Sequence, residues 1–261
     1  MPTIERKGNK ELMSEIKEAL MTYLLGANQV WHHTDDEVVL DLINVIQSGH
    51  CIFRDAPDLF IKKGERGFIF EHFRIDCYFN KRKGSSFIIE KSRVERRVDN
   101  IELVGGKLDY SDEIHGRSSY HYLIENARQQ FKKHYKQIDN YYSNLIKDGV
   151  ITEDTNTKVV FVIEDVSPLS PAVFLDDYLQ PINLMLSTEF LDLLKESPRV
   201  GFVLTLSTNG DERIVGLIDC KKLTEYQNAV IDYASLEFAE FHPRVHGYCF
   251  EITQHPKETN S

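Results

Sequence analysis

The chain has 261 residues, 41% of them hydrophobic and 28% charged, and a formal net charge of −10. That is enough for one large domain with a buried core, and the acidic total argues against a protein whose whole surface coats nucleic acid. No apolar run approaches the roughly 20 residues of a membrane-spanning helix, and the charged start Met1-Pro2-Thr3-Ile4-Glu5-Arg6-Lys7 lacks the apolar core of a secretory signal. The expectation is therefore a cytoplasmic protein with no membrane partner. Cys51, Cys77, Cys220 and Cys249 are far apart and form no C-x-x-C pair. They read as small buried hydrophobes rather than as a zinc site or a disulfide framework.

In chain order, the first predicted element is an amphipathic helix over residues 10–25, with Leu12, Ile16, Leu20 and Tyr23 at steps of three and four. A second helix starts at Thr34, which caps Asp35-Asp36-Glu37, and it presents Val38, Val39, Leu42, Ile43 and Ile46 before Ser48-Gly49 ends it. Two strands follow, 58–61 and 68–78, joined by the polar turn 62–67 with its two glycines. A turn at 81–86 leads to a short strand at 87–89. The longest predicted element is a helix over 118–147, in which Ile124, Phe131, Tyr135, Ile138, Tyr142 and Leu145 keep a near-heptad spacing and Gly149 is the stop. The near-continuous apolar run of 158–165, KVVFVIED, suits a buried central strand. Then come a helix over 181–196 stopped by Pro198, a hairpin of 200–207 and 212–219 around Asn209-Gly210, a helix over 222–235, a strand over 247–253 and a frayed tail. The expected fold class is α/β, a mixed central sheet flanked by helices. The chain reads as one domain over 1–261, with residues 1–50 a helical subregion and 51–165 the core.

Charge is segregated. Residues 81–97 hold seven basic side chains, Lys81, Arg82, Lys83, Lys91, Arg93, Arg96 and Arg97, against Glu90 and Glu95. The informative acidic constellation is Pro57-Asp58 at the opening of one strand and Glu71 in the middle of the next. In an antiparallel pair, residues near facing ends bring two carboxylates onto one side of the sheet. Two carboxylates held close repel unless a cation sits between them, and Mg²⁺ needs only one or two carboxylates plus waters. His72, by strand alternation, points opposite to Glu71, and so does Asp76. His32-His33 beside Asp35-Asp36 has the residue types of a metal site but reads as solvent-exposed. Gly105-Gly106 lacks a phosphate-binding fingerprint.

This arrangement resembles the PD-(D/E)XK nuclease superfamily, with a restriction-endonuclease-like core. The resemblance covers residues 35–165. Pro57-Asp58 matches the Pro-Asp of one strand, Glu71 the acid of the next, and the helix with Gln129-Gln130 and Tyr135 the helix that follows. An acid on the helix before the sheet corresponds to Glu37 or Asp41. The family's lysine belongs at position 73, where Phe73 stands, so the resemblance leaves its role to Lys83, Lys91 or Lys132 from a neighbouring element. It implies Mg²⁺ (or Mn²⁺) held by Asp58, Glu71 and Glu37, and catalysis by Asp58 and Glu71 with Lys83 or Lys91. It further implies a nucleic-acid backbone held by Lys81, Arg82, Arg93, Gln129, Lys132 and Tyr135. Such contacts bind without sequence preference and weaken with salt.

The plainer reading makes Pro57-Asp58 a turn, Glu71 a partner of Arg74 or Lys62, and the Gln/Lys helix face a solvated one. In function, the alternative to a metal-dependent nuclease is a non-enzymatic protein-binding factor of a phage or mobile element.

Overall fold

The computed structural model describes residues 30–33, 35–53, 57–78, 80–81, 84–85, 89, 119–167, 171–175, 178–209, 212–236, 238–242 and 251–254. The predicted helix over 10–25, Thr34 and most of the basic segment 81–97 lie outside them. The architecture is α/β, and a mixed seven-stranded sheet is its centre.

The strands are β1 (Val30–His33), β2 (His50–Phe53), β3 (Leu59–Lys63), β4 (Arg66–Ile75), β5 (Asn80–Lys81), β6 (Gly84–Ser85), β7 (Asn156–Asp165), β8 (Ala172–Leu175), β9 (Tyr178–Pro181), β10 (Val200–Asn209), β11 (Glu212–Asp219), β12 (Phe238–His242) and β13 (Glu251–Gln254). The main sheet runs β1-β11-β10-β7-β4-β3-β2. Its centre is parallel, with β7 between β4 and β10. Antiparallel meanders extend it on both sides. The run Val159–Ile163 is buried throughout, as a strand covered on both faces must be. The β3–β4 turn closes on the pair Lys63–Arg66 over two residues, with Gly64 at φ 61 as that tight hairpin requires. A second sheet of order β13-β12-β8-β9 is antiparallel throughout, and β5 pairs with β6.

The helices are α1 (Asp36–Ser48), α2 (Tyr120–Tyr135), α3 (Ile138–Lys147), α4 (Thr188–Lys195) and the single turn α5 (Leu223–Tyr226). Strand alternation sorts the core into two halves. Leu59, Ile61, Phe68, Phe70, Val160, Val162, Leu204 and Leu217 meet Val39, Leu42, Ile43 and Ile46 of α1 on one face. Phe60, Ile69, Phe73, Val159, Phe161, Ile163 and Val203 meet Leu123, Phe131, Ile138, Leu145, Phe190 and Leu194 of α2, α3 and α4 on the other.

Several boundaries differ from the sequence reading. The 1–50 region is not purely helical, because Val30–His33 joins the main sheet as a parallel edge strand beside β11. The predicted 118–147 helix is two helices, broken at Lys136–Gln137. The break resets the phase, so that Ile138, Tyr141 and Leu145 are buried while Tyr142 is only partly so. Phe131 and Ile138 are fully buried and Tyr135 packs at the margin, so the apolar face itself is where the heptad put it. Gly149, at φ 68, ends α3 in a Schellman arrangement: its N–H donates to the Ile146 carbonyl and that of Val150 to Leu145. The helix expected over 181–196 is a 3₁₀ turn at Leu184–Leu186 followed by α4, whose N-cap Ser187 accepts from the Phe190 N–H. The helix expected over 222–235 is α5 flanked by 3₁₀ turns.

Candidate active site

Asp58 stands one residue before β3. The register pairs Leu59 with Phe70, which places Asp58 beside Glu71. Two bonds tie them: the Asp58 backbone N–H reaches Glu71 Oε2 at 3.4 Å, and the His72 backbone N–H donates to Asp58 Oδ2 at 2.9 Å. Pro57 is buried and Asp58 is half-buried. The two carboxylates therefore meet at one place on the β3–β4 pair.

Glu71 is only 5% exposed. It projects to the face covered by α2 and α3, and both helices hold it. The Tyr141 hydroxyl donates to Oε1 at 2.7 Å, and His134 Nδ1 lies 2.6 Å from the same oxygen. The His134 ring stacks on Phe73, centroids 4.9 Å apart and 11° from parallel. Phe73 meets Phe131 and Phe161 edge-on and is 4% exposed. The position where the resemblance calls for lysine is thus a core position, and its neighbour is an aromatic ring rather than water.

Electrostatics follow from this packing. Burial, and then the negative charge of Glu71, push the Asp58 carboxyl above its ordinary range; the His72 N–H and the charges of His72 and His134 oppose that. Burial, followed by the bond to Glu71, pushes the Tyr141 phenol well up, so it stays a donor. Among the described residues no group of three or more His, Cys, Asp or Glu side chains is arranged to hold a metal ion. What the site offers is a carboxylate pair. Asp58 Oδ1 has no hydrogen-bond donor among the described residues, and Glu71 Oε2 has only the long bond from Asp58. A pair of hard oxygens completed by waters suits Mg²⁺ in donor chemistry. The anchoring of Glu71 by His134 and Tyr141 is the outer support that ligating carboxylates need.

The other residues expected at the site are dispersed. Glu37 is exposed on α1, which packs on the sheet face opposite to Glu71, so the structure does not bring it to Asp58. Asp41, on the same helix, pairs with Arg66 through two bonds of 2.7 and 3.0 Å. Gln129 is exposed and donates to Glu125, and Lys132 is exposed 3.5 Å from Glu196. Tyr135 packs against the core. Lys81 lies in β5, with nothing described of its side chain, while Arg82, Lys83, Lys91 and Arg93 lie outside the described residues.

His72 does point away from Glu71, to the opposite face, where its Nε2 lies 3.0 Å from Glu164 Oε2 beside Arg74 Nε at 2.7 Å. That pairing holds the Glu164 carboxyl down at about 2. Asp76 departs from the alternation argument because β4 ends at Ile75. It turns toward α2, where Asn126 Nδ2 donates to its carbonyl at 2.8 Å.

Sequence reasoning missed His134 and Tyr141. They lie on two helices whose phase is reset at Lys136–Gln137, so no periodicity in the sequence marks them as neighbours. No protein-family model, curated protein or solved structure matches the chain.

Proposed function

We propose that the chain is a metal-dependent phosphodiesterase of nuclease type acting on nucleic acid, with Asp58 and Glu71 as its metal-binding carboxylates. The observation that carries this is the meeting of those two carboxylates on neighbouring strands, with Glu71 gripped from behind by two helices. The order of parts supports it: α1, then the Pro57-Asp58 strand, then the Glu71 strand, then α2 with Gln129, Gln130 and Tyr135. That is the order the PD-(D/E)XK resemblance implies.

A bound Mg²⁺ or Mn²⁺ would supply a water of lowered pKa and neutralise the scissile phosphate. The chain's own part is positioning. Tyr141 and His134 fix the Glu71 carboxylate, the His72 N–H orients Asp58, and the pair's mutual repulsion favours a cation between them. Lysine is absent from position 73, which assigns the remaining positive charge to Lys83 or Lys91. Arg128, Lys132, Lys133 and Lys136 are exposed on or just after α2 and offer a surface for a phosphate backbone.

The test is cleavage of plasmid and single-stranded DNA with Mg²⁺ or Mn²⁺ and a chelator control, beside thermal melts of wild type and Asp58→Asn. Metal should raise the wild-type melting temperature by mass action and leave the variant unmoved. No metal-dependent shift together with no cleavage sinks the reading. That outcome favours the alternative, a non-enzymatic protein-binding factor, for which the burial of Phe73 and the full engagement of Glu71 Oε1 are the supporting observations.

A further inference from the structure

The parallel strands β4, β7 and β10 end side by side, and the chain from β9 to α4 passes over their carboxyl ends. In open sheets of this kind, that edge is where ligands bind. A cavity of about 320 Å³ lies there, within the range of small-molecule sites. Its walls are isoleucine and leucine side chains from the strand ends and from residues 182–184. Its polar lining residues are Asp165, Gln180, Asn183, Thr205 and Ser207; the Thr205 hydroxyl donates to Met185 Sδ and the Asn183 side-chain oxygen accepts from the Met185 N–H.

Asp165 sets the chemistry. Its Oδ1 accepts from the Ser167 N–H at 2.9 Å and from the Ser167 hydroxyl at 2.5 Å. Among the described residues nothing donates to Oδ2. The ionisable groups around Asp165 are Asp76, Cys77 and Tyr78. The first is another carboxylate, and burial pushes the other two far up, so they are neutral near pH 7. No Lys, Arg or His among the described residues acts on it. Among the described residues this carboxylate in an aliphatic cavity therefore has no counter-charge, a condition that a ligand can relieve.

We infer that this cavity binds a small organic cation, an ammonium or amidinium on an apolar body, with Asp165 as its counter-ion. The aliphatic walls fit the apolar body. The Gln180 carboxamide, the Asn183 side-chain N–H and the Ser207 hydroxyl are the groups left to orient it. A hard metal ion would need several more oxygens than one carboxylate supplies, and a neutral ligand would leave the charge unmatched. None of the residues of the Asp58–Glu71 pair takes part, so the inference stands apart from the nuclease reading.

Burial, before any other cause, raises the Asp165 carboxyl to about 6, which gives the binding a pH signature. The probe is benzamidine, with benzamide as the neutral isostere, titrated by calorimetry and followed by NMR on the intact chain. Benzamidine should bind saturably at pH 7.5 and benzamide should not. Binding should weaken about tenfold on going to pH 5, as Asp165 takes up a proton. Asp165→Asn, which keeps the oxygen that accepts from Ser167, should weaken it about tenfold or more. Equal binding of both probes, pH-independent binding, or no saturable binding of benzamidine overturns the inference. The pH series on wild type decides the matter even where the variant fails to fold.

Discussion

Glu164 and Asp165 are consecutive residues of β7, and the pleat sends them to opposite faces of the sheet. On the α1 face, Glu164 is held by His72 and Arg74, and its carboxyl titrates at about 2. Asp41 on the same face is paired by Arg66. On the face covered by α2, α3 and α4, Asp165 titrates at about 6, and Glu71 is met by a phenol and an imidazole. One face neutralises its acids with guanidinium partners near solvent. The other meets them with a phenol, an imidazole and the Ser167 hydroxyl and N–H, and no Lys or Arg among the described residues pairs with either acid. The contrast lies in how the acids are held: guanidinium partners on one face, none among the described residues on the other.

The comparison breaks most visibly at Glu71. Glu71→Ala leaves the buried Tyr141 hydroxyl and His134 without their acceptor, and about 3 kcal/mol of stability should go with it. Glu71→Gln keeps an acceptor oxygen and should recover much of that loss while removing metal response. Denaturant melts of the two variants measure the difference. An Ala variant as stable as wild type would show that the helices do not depend on this carboxylate. Two adjacent carboxylates also repel, so removing one of them is expected to stabilise wherever no partner is orphaned. That expectation now applies to Asp58, whose carboxyl is raised and partly exposed.

At Asp165 the sign reverses. A carboxyl whose folded pKa is about 6 rather than its ordinary value binds its proton more tightly in the native state. Its ionisation therefore destabilises the fold progressively as pH rises from about 4 to about 6, and by a constant amount above that. Asp165→Asn should raise stability above pH 6 by up to about 3 kcal/mol and change little at pH 4. Equilibrium unfolding at the two pH values reads this directly.

Glu164 gives the mirror image on the α1 face. Its lowered pKa contributes stability that is present above its unfolded value and lost as pH falls from about 4.5 to about 2. Solvent around Arg74 reduces the size, so Glu164→Gln should lower stability by about 1 kcal/mol at pH 7. Acid titration of wild type and variant should converge below pH 2. The smallest effect belongs to Asp41→Asn, under about 1 kcal/mol and fading with added salt, because both partners of that pair are over a third exposed. A larger, salt-independent loss there would blur the distinction between the faces.

Sequence pattern by itself determined the elements whose hydrophobic period matches their burial. The KVVFVIED run is apolar on both sides because a central strand is covered on both sides, and it is β7. The 62–67 turn and Asn209-Gly210 announced their hairpins through local backbone chemistry, and Pro57-Asp58 with Glu71 could be paired because a hairpin's register is short-range. Tertiary structure alone decided the rest. Whether a helix runs on past Lys136 depends on packing against the sheet, so the phase that buries Tyr141 rather than Tyr142 was not legible. Which face Glu71 shares with His134 depends on where α2 crosses β4, 63 residues away in the chain. The cavity at Asp165 is made by strand ends and a segment that meet only once β4, β7 and β10 lie in parallel. Periodicity records what each residue needs, burial or water; which residues become neighbours is settled by the crossovers, and those carry no local signature.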